Sequence, residues 1–306
     1  MAAYLSVLIP TQITEPMLTD TTVPETDYGL WDVGTTYPLG GRCMKEHRIY
    51  ESQIAGNVGK DPADLNNQFG TVVYWLDIGP TNRWALFDND TSTQTSAVGS
   101  MTYVLSAKTF NTIYLGGLQA QHVDIVVKNE PGGDVVFTYS GTLQANRPSD
   151  YYAYCFSGFS FLKSKIVSGI PPYATMELTI TLSNGASGTV LCGVLAVGLI
   201  QKLGRTQQGA KAKPKNFGYV DIDKYGKATI VKGKKATDMS ASAKIDSSEA
   251  REVQEALQNA LQTACMVSCS DSAGYSGLNT FGLVSGEVTY KTDETSEISI
   301  DVEGLS

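Results

Sequence analysis

The chain has 306 residues, a formal net charge of −8 and 42% hydrophobic residues. This length suits two or three domains with real cores, and the hydrophobic share is that of a globular chain, not a disordered one. The acidic balance speaks against nucleic-acid binding by the whole molecule, and no apolar run reaches the ~20 residues of a membrane span.

Charged residues make up 18%, with 30 glycines and 16 tyrosines. That mixture favours strands and turns over helical bundles. Residues 1–27 contain Pro10, Pro16 and Pro24 and many threonines. Proline removes backbone donors and disfavours helix, so an extended N-terminal arm is expected. The stretch has no basic region ahead of an apolar one, which predicts synthesis in the cytoplasm without a signal peptide.

Residues 28–79 form a small block rich in glycine and aromatics, with Trp31, Tyr37, Tyr50, Tyr74 and Trp75 among turn residues. GRCM and RIYES read as short strands. A core this small leans on a neighbour. Next comes IGPTNRWALFD (78–88), where Gly79-Pro80 is a turn and RWALFD reads as the first strand of the following domain. Trp84, Leu86 and Asp88 would share one face, and Arg83, Ala85 and Phe87 the other. Neither face is purely apolar, so both are expected to be covered. Arg83, Trp84, Phe87 and Asp88 then make an inter-module seam, with Arg83 and Asp88 as ion partners in it.

Residues 80–203 read as about nine short strands at spacings near ten residues: RWALFD, MTYVLSA, TIYLGGL, HVDIVVKN, DVVFTYSG, YAYCFSGF, SKIVSGI, MELTITLS and TVLCGVLAVGLI. VDIVV and ELTITL alternate with period two. NEPGGD, NRPSD, IPPY and SNGASG are turn chemistry. The expectation is a β-sandwich, jelly-roll-like or immunoglobulin-like.

Residues 202–235 carry ten Lys or Arg against Asp221 and Asp223, about +8, which leaves about −16 elsewhere. GRTQQGAKAKPKNFGYV (204–220) reads as a basic linker or an arm docked on an acidic neighbour. GYVDIDKYGKATIVKG predicts a hairpin around Asp223–Gly226. IDSSEAREVQEALQNALQTA predicts the one convincing helix, capped by Asp246 with Glu249 as its capping-box partner. Its apolar face would be Val253, Ala256, Leu257, Ala260, Leu261 and Ala264. With the strands FGLVSGEVTYK and EISIDVEGL, residues 204–306 become a basic linker plus a small α+β domain. The protein is therefore expected to be mainly β: arm 1–27, aromatic β module 28–79, β-sandwich 80–203, and linker plus α+β domain 204–306.

The residues give no catalytic frame. His47 and His122 lie beside no recognisable nucleophile. GYSGL (274–278) lacks the strand-to-helix context of a nucleophile elbow, GNVGKD is not a phosphate loop, and Asp221 and Asp223 lack the later carboxylates of an EF-hand. Cys43, Cys155, Cys192, Cys265 and Cys269 form no metal-ligating pattern and read as buried free thiols of a reducing cytosol. No cofactor, metal or enzymatic activity is expected.

The block Trp31, Tyr37-Pro-Leu-Gly-Gly-Arg42, Ile49-Tyr50-Glu51-Ser52, Asn57, Pro62 and Trp75 resembles the small chitin-binding-like modules of carbohydrate-binding families 5 and 12. It departs from them in extra residues between Pro62 and Trp75 and in Cys43 at a strand position. The resemblance implies that Trp31, Tyr37, Tyr50 and Trp75 stack on sugar faces, and Tyr37 is the ring most expected to be exposed. The alternative is that these rings are the core of a domain with few aliphatics. The longer run YES…N…P…W…IGPTNRWALFD, then FGYVDIDKYGKATIV and ISIDVEGL, looks like structural proteins of tailed-bacteriophage virions. That resemblance spans most of the chain. It implies a tail, baseplate, collar or fibre-associated subunit located in the virion. It would bind other virion proteins and further copies of itself, with host-surface glycans as a second class of partner. A dedicated glycan receptor-binding (adhesion) protein is the alternative, and a polysaccharide-degrading enzyme the least favoured reading.

Overall fold

The structure, a computed structural model, describes residues 3–145, 150–156, 160–270 and 277–305. It is mainly β, with a sandwich and, among the described residues, a single helix of three turns, as the sequence predicts. The N-terminal arm is extended, but it is built into the fold. It supplies β1 (Tyr4–Leu8) to one sheet and β2 (Leu18–Thr21) to another, and Leu5, Val7 and Leu8 are fully buried.

The aromatic module is a three-stranded antiparallel sheet of β3 (Arg42–Lys45), β4 (Arg48–Ser52) and β5 (Trp75–Pro80). The β3–β4 turn is Glu46-His47, with φ of 50° and 63°, the mirror-image turn whose twist matches its strands. Between β4 and β5 lies the short α1 (Leu65–Phe69), where the Asp64 carboxylate accepts from the Asn66 N–H at 2.9 Å.

RWALFD is not a strand. After β5 ends at Pro80, the Thr81 carbonyl accepts from the N–H groups of Trp84 and Ala85, both at 2.9 Å, and winds Ala85–Phe87 into a 3₁₀ turn. Trp84, Ala85 and Leu86 are buried in succession, so the alternating faces expected of a strand do not exist here.

The sandwich follows. Its strands are β6 (Thr95–Val98), β7 (Ser100–Lys108), β8 (Thr112–Gly116), β9 (His122–Lys128), β10 (Val135–Thr142), β11 (Ser164–Ser168), β12 (Thr175–Ser183), β13 (Thr189–Cys192) and β14 (Val194–Gly198). One sheet runs β10-β9-β12-β7-β2, and the opposing layer is made of β11-β8-β14 and the pair β13-β6. On the large sheet every second residue points inward: Met101, Tyr103, Leu105 and Ala107 of β7 meet Met176, Leu178, Ile180 and Leu182 of β12 and Val123, Ile125 and Val127 of β9. This is the period-two pattern read from VDIVV and ELTITL. YAYCFSGF departs from expectation: Tyr151–Phe156 is the helical turn α2, and residues 157–159 lie outside the described residues, as do 146–149 of the NRPSD separator and 274–276 of GYSGL. TVLCGVLAVGLI is not one strand either. Gly193 breaks it, because a Cβ there would meet the carbonyls of Thr91 and Thr93 at 3.1 and 3.4 Å.

The last unit contains β15 (Ile200–Thr206), β16 (Lys211–Asn216), β17 (Tyr219–Ile222), β18 (Ala228–Val231), β19 (Lys235–Asp246), α3 (Ala250–Ala260), β20 (Ala264–Ser268), β21 (Asn279–Tyr290) and β22 (Thr295–Gly304). The basic stretch at 204–220 is therefore strand for most of its length, not linker. The sheet order is β15-β1-β20-β21-β22-β19-β16, and β15 also pairs β19 through Arg205↔Lys244 and Thr206↔Ala243. Six strands thus close into a ring, the arrangement that removes sheet edges. β1 sits inside it, between β15 and β20.

Ala250, Val253, Ala256, Leu257 and Ala260 of α3 share one buried core with Leu5, Val7, Ala243, Val284, Ile298 and Ile300. The expected capping box is absent. Asp246 is still in β19, and Glu249 is the N-cap residue without a side-chain cap bond. The helix face also ends sooner than its period implies: Leu261 is exposed and Ala264 lies in β20.

Barrel and sandwich meet across an apolar interface. Leu8, Ala264, Met266 and Phe281 of the barrel pack on Tyr114, Val194 and Ala196 of the sandwich, and the Tyr114 and Phe281 rings stack at 5.2 Å and 7°. This explains why β8 and β14 are buried at every position. Ile113, Leu115, Leu195 and Val197 face the sandwich core, and the alternate residues face the barrel.

Candidate functional site

The rings read as glycan platforms are mostly core. Tyr37, Tyr50 and Trp75 are 8%, 3% and 1% exposed and surround Cys43. The Tyr37 ring meets the Trp75 ring edge-on at 5.1 Å, and its hydroxyl accepts from the Asp32 N–H at 2.9 Å. The Trp75 indole donates to the Lys60 carbonyl at 2.8 Å. Burial raises the pKa of both tyrosines and pushes the Cys43 thiol up to about 11. The expectation of an exposed Tyr37 is corrected: a three-stranded sheet with few aliphatics fills its centre with rings, each of which covers a large area. None of these three has a face free for a sugar. Trp31 is half-buried against this core, with the Lys45 Nζ 4.6 Å from its ring centroid and Lys45 bonded to Asp61 at 2.5 Å.

The seam residues do come together, with other partners than expected. The His47 ring, held out by the β3–β4 turn, stacks on Trp84 at 4.2 Å and 26°. Trp84 in turn belongs to the sandwich core, and the contact runs on through Phe87 (5.5 Å) to Tyr103 (a further 5.7 Å). Glu25 of the arm ties the joint together: its carboxylate contacts His47 Nδ1 at 3.0 Å, accepts from Thr81 Oγ1 at 2.8 Å and lies 3.7 Å from Arg83 Nη1. Arg83 Nε donates to the Val23 carbonyl at 2.8 Å. Arg83 therefore pairs with Glu25 and not with Asp88. Asp88 accepts from Thr93 Oγ1 at 2.5 Å and from the Asp90 N–H at 2.8 Å, and burial raises its pKa. Glu25 was not singled out in the sequence, because a separation of 58 positions from Arg83 hides their proximity.

His122 Nε2 lies 3.2 Å from Asp124 Oδ1 and 3.0 Å from Ser140 Oγ. The three residue types match a hydrolytic triad, but both partners share one ring nitrogen. A relay needs the carboxylate on one nitrogen and the hydroxyl on the other, so the group is a polar patch on the outer face of β9 and β10.

Two exposed surfaces escaped the sequence reading. On α2, Tyr151, Tyr152 and Phe156 are 84%, 73% and 73% exposed, and the rings of Tyr152 and Phe156 lie 4.8 Å apart. Their run of aromatics resembled a strand, which hid them. The second is the β17–β18 hairpin, predicted as a hairpin around Asp223–Gly226 and found there, but exposed at every position of both strands. No protein-family model matches the chain, and no curated protein matches it in sequence.

Proposed function

We propose that this protein is a structural subunit of a tailed-bacteriophage virion, placed in the tail or at its distal end. It binds other virion proteins and further copies of itself and is made in the host cytoplasm. The reading starts from the resemblance of the run from Tyr50 through Asp88 and of the two C-terminal stretches to virion proteins. One structural observation supports it: three β units are fastened to one another through the threaded arm, the Glu25–Arg83–Trp84 joint and the Tyr114–Phe281 interface, while a hairpin with apolar side chains is left uncovered. Uncovered apolar surface of this kind marks an interaction site. Peptide mass spectrometry of gradient-purified particles, and of tails separated from heads, is expected to find the chain at a fixed ratio to the tail proteins. Recovery from the lysate but not from particles sinks the reading.

A host-glycan contact is favoured by the exposed rings of Tyr151, Tyr152 and Phe156, not by the module's buried ones. Aromatic faces stack on pyranose rings at little rotamer cost. A glycan array is expected to lose its signal with Tyr152→Ala plus Phe156→Ala in a folded protein. An unchanged signal removes α2 from the site.

A further inference from the structure

The barrel closes through two residue pairs. β15 pairs β1 from Ile200 to Arg205, but its other edge meets β19 only at Arg205↔Lys244 and Thr206↔Ala243. Gly204 stands where that contact ends. At φ 152° it lets the Lys244 carbonyl come so near that a Cβ would lie 2.7 Å from it. β19 stops at Asp246, and the chain turns into α3. Among the described residues, no strand but β1 pairs Gln201–Gly204, and no backbone bond reaches them from any other element. This edge of the barrel is bare.

α3 runs beside the bare edge. Glu249, Glu252, Val253 and Ala256, a stripe at helical spacing, face Lys202 and Leu203 across a groove of about 560 Å³, within the ~300–1,000 Å³ of ligand sites. Four strand residues span ~13 Å and the 11 residues of α3 ~16 Å, so the helix is long enough to accompany the whole edge. Leu203, Val253 and Ala256 are buried and give the groove an apolar floor. Its walls are charged. Lys202 Nζ stands 5.0 Å from the Tyr4 ring centroid, and Arg251 donates to Glu255 at 3.1 Å. Glu249 and Glu252, one turn apart, have no ion pair among the described residues, and neither have Arg205, Lys244 and Asp246 farther along, past Gly204. Beside the bare edge itself, the charge without a partner is negative.

An unpaired strand edge is a template for another strand. In strand addition the main-chain bonds give affinity and the alternate side chains give specificity. We propose that the groove between β15 and α3 takes an extended, basic segment of another protein as an added β-strand. Its backbone bonds Gln201–Gly204. One set of alternate side chains, small and apolar, rests on Leu203, Val253 and Ala256. The other set carries lysine or arginine to Glu249 and Glu252. The proposal concerns the barrel alone and holds whether or not the protein belongs to a virion.

The test is fluorescence anisotropy of a labelled peptide alternating valine and lysine, titrated with the full chain. Saturable binding, weakened by salt, is expected, and none by the same peptide with glutamate for lysine. Backbone N-methylation of one alternate set of residues is expected to weaken binding about tenfold, as the loss of two or three hydrogen bonds implies. Methylation of the other set changes it little, because successive residues of a strand bond to opposite sides. Glu249→Gln plus Glu252→Gln is expected to weaken binding about fivefold with circular dichroism unchanged, since both side chains are exposed. Hydrogen exchange is expected to gain protection at Gln201–Gly204 when the peptide is bound. A chain that ignores the basic peptide overturns the proposal. So does binding indifferent to both methylations, which is adsorption by charge alone, or protection gained elsewhere and not on this edge. A full chain that associates with itself and protects the same edge gives the groove to a second copy and overturns the assignment to another protein.

Discussion

Trp84 shows how much one side chain decides in this protein. Its ring is covered by His47 of the aromatic module on one side and by the sandwich core on the other. Trp84→Ala is expected to cost ~3–5 kcal/mol, the usual range for emptying such a site, read from urea unfolding. Trp84→Phe keeps a ring in place and loses little by comparison, since the indole N–H has no hydrogen-bond partner among the described residues. The cysteines offer a second test at this scale. Cys43, Cys192, Cys265 and Cys269 are buried, and burial pushes their thiols up to about 11, 12, 12 and 11, whereas Cys155 is exposed. The thiolate is the reactive form, and a raised pKa keeps these four protonated at neutral pH. A thiol-labelling reagent at neutral pH is expected to modify one cysteine quickly in the folded protein and all five after denaturation. Fast labelling of more than one in the native state contradicts the buried placements.

At the scale of elements, β1 is the strand that alters the reading of the chain most. An arm that lay on a partner could be removed without harm to the isolated protein. β1 instead pairs β15 on one side and β20 on the other, with Leu5 and Val7 inside the barrel core. Deleting residues 1–9 opens the ring and exposes two strand edges. Hydrogen exchange is expected to show protection lost across β15, β20 and α3, while β9 and β12 of the sandwich keep theirs. Retained protection in the barrel would return β1 to the status of a docked arm. The helix carries a related lesson. The 3.6-residue period found its inward face correctly from Val253 to Ala260, but the end of that period could not be told from the start of β20, whose apolar residues follow after a short turn.

Across the whole molecule, the sandwich and barrel share the surface between Tyr114 and Phe281, and the arm crosses from one to the other. Phe281→Ala removes the stacked ring and leaves a hole at that interface, at ~3–5 kcal/mol in the general range for Phe truncation. Calorimetry of the intact chain is expected to show one cooperative transition, and Phe281→Ala to split it into two as the units uncouple. A variant that still melts in one step means the arm alone couples them.

Local order was legible in the sequence because it depends on neighbours a few residues apart. Period-two alternation placed β9 and β12, and Gly226 and its neighbours placed the β17–β18 turn. What only the tertiary structure decided were the pairings across long stretches of chain. Glu25 against Arg83, β1 within a ring of strands 200 to 300 positions away, and β8 and β14 buried on both faces all depend on which surfaces meet in space. The fate of the aromatic rings belongs with these. A tyrosine or tryptophan in a small glycine-rich block has the same local pattern whether it offers a face to a sugar or fills a core, and only packing of Tyr37, Tyr50 and Trp75 around Cys43 settles which, because burial is a property of the surroundings and not of the residue.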